Sequence, residues 1–107
     1  MKKRIYLLST LLPVLGFLFA APVLSAEADL VKAEKVYKRS CATCHGKQGE
    51  KPAMGESKII NQLKPEEIST ALSERKAGNI PSAGSPAKQR LSEQDIHDLS
   101  EYIQTLK

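Results

Sequence analysis

The sequence predicts an all-α fold. Three segments carry apolar residues at helical spacing, no segment alternates apolar with polar residues as a strand does, and the stretches between are marked by Gly, Pro and Ser. The first segment, 28–40, sets Leu30, Ala33, Val36 and Tyr37 on one helical face, with Asp29 as its N-cap. A loop containing Gly and Lys, 46–63, follows. The second segment, 65–76, repeats the pattern through Ile68, Ala71 and Leu72, with Pro65 suited to a first helical turn and Gly78 to a C-terminal stop. A stretch rich in Pro, Ser, Gly and Ala, 79–90, reads as a second loop. In the third segment, 92–106, Ser92 and Asp95 form a capping box and Ile96, Leu99, Ile103 and Leu106 make a single apolar stripe.

Residues 1–26 read as a secretory signal and 27–107 as one domain. Lys2, Lys3 and Arg4 form a basic start, an apolar run follows, and small residues close the segment near Ala26, although Ala26-Glu27-Ala28 also suits a signal peptidase. Continued to Leu24, the apolar run reaches about 20 residues, the span of a bilayer. Pro13, Gly16 and Pro22 interrupt it, which favours cleavage; membrane attachment would require an uncleaved leader. The whole chain has 107 residues and a formal net charge of +4. Subtracting the 26 leader residues leaves 81, and subtracting three of the 16 basic side chains leaves 13 against 12 acidic ones. A near-neutral domain excludes nucleic acid as a partner on grounds of charge. Both Phe residues fall in the leader and there is no Trp, so Tyr37 and Tyr102 are the domain's aromatic side chains. So small a core needs a staple such as a metal, a cofactor or a disulfide.

The staple is encoded in Cys41-Ala42-Thr43-Cys44-His45, which holds the chain's two cysteines directly after the first helix. C-x-x-C-H is the attachment signature of c-type haem. Two thiols three positions apart on a helical turn can reach the two vinyl groups on one porphyrin edge, and the adjacent imidazole then lies under the iron. A Cys41–Cys44 disulfide and a thioredoxin-like redox motif share the C-x-x-C spacing, but the second belongs to a fold with strands. A zinc site would have to use adjacent Cys44 and His45 with His97 as a fourth ligand, an awkward set for one tetrahedral ion. Burying roughly 500 Å² of haem surface at ~25 cal/mol/Å² contributes on the order of 12 kcal/mol, which supplies the missing core.

With these residues the chain resembles the small monohaem class I cytochromes c of bacterial periplasms. The resemblance runs through Val36-Tyr37, Cys41 to Gly46, Gly49-Glu50-Lys51-Pro52-Ala53-Met54-Gly55, Lys76-Ala77-Gly78, and Leu91 to Ile96 leading into Tyr102-Ile103. It implies three or more helices around one covalent haem c, held by Cys41 and Cys44, with His45 as proximal iron ligand. It also implies a crossing of the first and last helices in which Ala33 faces Tyr102, and a loop at Pro52 whose backbone carbonyl holds the imidazole N–H.

One departure bears on function. The family normally supplies a distal Met from the loop before the last helix, and 79–90 contains neither Met nor His; the matching position falls near Ala83. Met54 is the domain's one Met and is the distal candidate, because nine residues of extended chain span about 30 Å. His97 lies off the Ile96, Leu99, Ile103 stripe and should face solvent. Lys88 would have to give up a proton held with a pKa near 10.4, which is costly unless the amine is buried. The expectation is an open or water-filled sixth site.

The expected function is single-electron transfer between redox proteins of the periplasm or inner membrane, with Lys38, Arg39, Lys47 and Lys51 as a docking patch around the exposed haem edge. The alternative is a haem protein that binds or senses nitric oxide or carbon monoxide at an open distal site. A third reading is an accessory haem domain whose distal ligand comes from a partner chain. No acid–base pair or nucleophile stands near the motif, so no catalysis is expected.

Overall fold

The computed structural model describes residues 27–107, together with Pro13 and Gly16; the leader expected over 1–26 otherwise lies outside the described residues. Five helices and no strand occur among the described residues: α1 (Leu30–Ser40), α2 (Ala42–His45), α3 (Pro65–Lys76), α4 (Ser85–Gln89) and α5 (Glu93–Gln104). Short 3-10 turns at Ala53–Gly55 and Ile60–Gln62 shape the loop between α2 and α3. The all-α prediction stands, and the three long helices occupy the three periodic segments. α4 is an addition. Five residues that include Pro86 are too few to show a helical period, and the 79–90 stretch reads from sequence as loop alone.

Local chemistry sets the helix ends. The Asp29 carboxylate accepts from the Lys32 N–H at 2.9 Å and starts α1. At α5 the Ser92 hydroxyl accepts from the Asp95 N–H at 3.0 Å while the Asp95 carboxylate accepts from the Ser92 N–H at 2.9 Å, the reciprocal box expected from sequence. The α3 start has Pro65 in its first turn and the Glu67 carboxylate accepting from the Lys64 N–H at 2.8 Å. At its end Gly78, with φ +82°, donates to the Arg75 carbonyl and Asn79 donates to the Glu74 carbonyl, a Schellman closure.

α5 is the central strut, packing against both α1 and α3. The core consists of Ala33, Tyr37, Ile68, Leu91, Ile96, Leu99, Ile103 and Leu106, so the whole predicted stripe of the last helix is buried. Leu30 departs from expectation: it is 43% exposed at the start of α1 and is not among the apolar side chains packed on the core. The two aromatic rings pack on each other across the α1–α5 contact, Tyr37 to Tyr102, with centroids 5.7 Å apart and planes tilted by 56°. Ala33 is buried in the same core, where its small side chain suits a close helix approach. Polar ties reinforce this contact. Lys32 Nζ pairs with Asp95 Oδ1 at 3.0 Å, and the buried Asp98 carboxylate accepts from the Asp29 N–H at 3.0 Å and from Gln94 Nε2 at 2.8 Å.

Candidate functional site

The Cys41 to His45 turn is held from both ends by one residue. Cys41 donates its N–H to the Tyr37 carbonyl at 2.8 Å, ending α1, and the Tyr37 hydroxyl donates to the Gly46 carbonyl at 2.7 Å. Between these anchors α2 closes a single turn, with the Cys44 and His45 N–H groups both directed to the Cys41 carbonyl. Gly46 ends it at φ +83° and ψ 160°, a conformation open in practice to glycine alone. Burial pushes the Tyr37 hydroxyl up to about 12, because an anion there would lose more by leaving water than the nearby Gly49 N–H returns.

This turn borders a cleft of about 700 Å³. Cys41, Cys44, His45 and Met54 all line it, so the structure brings the two expected attachment cysteines, the expected proximal histidine and the distal candidate Met54 to one place. The facing surface is apolar: Ile68, Ala71 and Leu72 from α3, Leu99 and Ile103 from α5, and Ile60 and Leu63 from the intervening loop. A second depression, about 430 Å³ between α1, α4 and the start of α5, contains no Cys or His and has no comparable apolar wall.

Neither cysteine is in a disulfide. The Cys41 thiol is pushed above the usual range chiefly by burial, while His45 is pushed below its usual range by burial and by the Lys88 and Arg75 cations. His45 therefore presents a neutral imidazole to the site, the form that binds metal. Its Nδ1 is buried with no hydrogen-bond partner. Here the structure differs from the expected proximal arrangement. The Pro52 carbonyl accepts from the Gly55 N–H at 3.0 Å, because the chain turns at Ala53–Gly55, and it does not reach the imidazole.

Met54 lies within that turn, with φ 55° and 78% of its surface exposed. His97 is exposed on α5 and does not line the cleft. Of the expected docking cations, Lys38, Arg39, Lys47 and Lys51 are all exposed, and Lys38 is paired with Glu34 at 2.5 Å. Arg75 is a cleft residue that sequence reasoning missed. Its signal was available, since it continues the helical spacing of Ile68, Ala71 and Leu72 by one more turn.

Two thiols on one turn, a neutral imidazole beside them and an apolar cleft of this size fit a flat, mostly apolar prosthetic group bound covalently at one edge. The comparison with known sequences agrees: residues 30–107 match the family model described as Cytochrome c. The chain belongs to the cytochrome c family. Among its relatives is cytochrome c-553 of Helicobacter pylori. The protein of strain ATCC 700392 / 26695 is 42% identical over 84 residues, covering 77% of this chain and 86% of that one. The strain J99 protein is 42% identical over 95 residues, covering 87% and 93%. Cytochrome c-554(547) of Halothiobacillus neapolitanus is 33% identical over 91 residues, covering 74% and 98%. The chain is a small class I monohaem cytochrome c, and haem c is its cofactor. No helix among the described residues of this cytochrome is long and apolar enough to cross a membrane.

Proposed function

We propose that this cytochrome c carries single electrons between redox proteins of the periplasm after export and removal of its leader near Ala26, and that it acts as a carrier rather than a catalyst. Cys41 and Cys44 would hold the porphyrin through thioethers, and His45 would bind its iron. The observation that carries the reading is the placement of these three side chains on one turn at the rim of an apolar cleft. When bound, the haem supplies an iron that gains and loses one electron. The protein's own residues position it and exclude water. Tyr37 fixes the turn that bears the ligands, and Ile68, Leu72, Leu99 and Ile103 line the cleft with groups that shed water. Cys44 is exposed, so the thioether edge lies at the surface, where a partner can approach. Arg39, Lys47 and Lys51 give that surface a positive bias toward an acidic partner.

Protein made from the full chain in a host that matures c-type cytochromes tests the assignment. The expected result is a mass increase of one haem that survives denaturation, a c-type pyridine haemochrome spectrum and a reversible one-electron wave, in material recovered from the periplasmic fraction with residues 1–26 removed. Cys44→Ala should lose one thioether. Colourless but folded protein would overturn the proposal.

A further inference from the structure

The 79–90 loop, which lacks the family's distal Met, carries a lysine amine into the cleft. α2, bearing His45, packs against α1 and the Ala53–Gly55 turn, whereas α4, bearing Lys88, packs against α3. The cleft is lined from both groups of elements. Gly84 makes room for the amine: a Cβ built there would stand 2.6 Å from Lys88 Nζ, so any residue with a side chain would displace it. Lys88 is half-buried, and no hydrogen bond or ion pair joins its amine to a described residue. The carboxylate of Glu67, which also lines the cleft, is turned to the Lys64 N–H. An amine held against an apolar wall and partly withdrawn from water without a counter-ion gains when a bound group receives it.

We infer that Lys88 Nζ is the sixth ligand of the haem iron, on the face opposite His45. The inference rests on the assignment of Cys41, Cys44 and His45 made above. The other receiver available in a haem protein is a propionate carboxylate. Lys88 has Cys41 and Cys44 among its electrostatic neighbours, and those two residues hold the porphyrin edge remote from its propionates. Burial and the nearby Arg75 cation hold the amine below the usual lysine range, which lessens the cost of releasing a proton. On ligation the ammonium gives one proton to solvent, and the freed lone pair forms the nitrogen–iron bond in place of water; no electron moves. An amine favours ferric iron more than a thioether does, so the potential falls below that of a Met-ligated relative.

The test uses the holoprotein with Lys88→Arg, Lys88→Ala and Met54→Ala. Covalent haem is counted first, by denatured mass and pyridine haemochrome; wild-type protein without it overturns the reading of Cys41, Cys44 and His45 itself. With haem attached, ferric electron paramagnetic resonance and ferrous carbon monoxide binding report the sixth site. Wild type and Met54→Ala should be low-spin with nitrogen-type ligation and resist carbon monoxide. Both Lys88 variants should lose the low-spin signal and bind carbon monoxide. Arginine keeps the charge and the hydrogen bonds but does not give up its proton, so it would preserve a propionate pair and cannot preserve ligation. A high-spin wild type overturns the inference, as does a low-spin Lys88→Arg. Loss of the low-spin signal in Met54→Ala would also overturn it and give the site to Met54.

Discussion

Tyr37 donates its hydroxyl hydrogen to the Gly46 carbonyl at 2.7 Å while its own carbonyl accepts from Cys41, so one buried residue ties both ends of the turn that bears the two cysteines and His45. Tyr37→Phe keeps the ring contact with Tyr102 and removes that hydroxyl. Gly46 is buried, and its carbonyl would keep only the Gly49 N–H at 3.2 Å, so the variant should lose about 0.5–1.5 kcal/mol in urea unfolding of the holoprotein.

The same hydroxyl makes stability depend on alkaline pH. Its pKa rises from 10.0 to about 12 on folding. The unfolded chain therefore gives up the proton first, and the native state binds more protons between those values. Stability from this group is complete below pH 10 and is lost as pH rises toward about 12. Unfolding free energy measured across that window should decline in wild type and be flatter in Tyr37→Phe. An equal decline in both proteins would contradict the assignment.

Two glycines with positive φ should respond unequally to alanine. Gly78 has φ +82° and open space where a Cβ would stand, so Gly78→Ala carries only left-handed backbone strain, about 1–2 kcal/mol. Gly46 combines φ +83° with ψ 160°, and a Cβ there would collide with the Glu50 carboxylate. Gly46→Ala should cost more, up to ~3 kcal/mol, and lower the yield of covalent haem, because the strain falls on the turn that presents His45. Thermal melts and haem content per protein measure both effects.

Periodicity made the long helices legible, most fully in α5, where Ile96, Leu99, Ile103 and Leu106 are all in the core, and Asp29, Ser92 and Gly78 mark helix ends where the sequence places them. The haem motif was legible because its chemistry needs residues adjacent in sequence. What escaped depends on groups distant in the chain. Asp98 is buried by virtue of the Asp29 N–H, 69 positions away, and no local pattern reports such a partner. The Pro52 carbonyl faces Gly55 instead of His45 because of a 3-10 turn three residues long, and α4 is too short to carry a period. Lys88 looks solvated in sequence and is half-buried in the fold because Gly84 offers it space.

Asp98 anchors the start of α1 to α5. Its Oδ1 accepts from the Asp29 N–H and from Gln94, while Oδ2 is buried without a partner. Asp98→Ala would strand the buried ends of those donors and should cost about 1–3 kcal/mol, with faster amide exchange at Asp29 as the local signature. Asp98→Asn keeps an acceptor for the Asp29 N–H and places an amide where Oδ2 now stands unpaired, so it should be far milder. Equal losses in the two variants would mean that shape rather than hydrogen bonding is what position 98 supplies.

The core and the cleft share side chains: Ile68, Leu91, Leu99 and Ile103 belong to the buried apolar core of the described residues and also line the cleft. Removing the cofactor therefore unsupports the core instead of merely opening a pocket. A domain of this size draws no more than about 3–5 kcal/mol from its core alone. The double variant Cys41→Ser/Cys44→Ser, which cannot form thioethers, should lose most of its stability. Its thermal transition should be broad, its near-ultraviolet dichroism weak, and it should bind a hydrophobic dye that the holoprotein excludes. Ile103→Ala in the holoprotein should cost ~2–5 kcal/mol while retaining covalent haem, because the thioethers hold the group when the packing loosens. A sharp, dye-free unfolding transition in the double variant would show that the helices support one another without the haem between them.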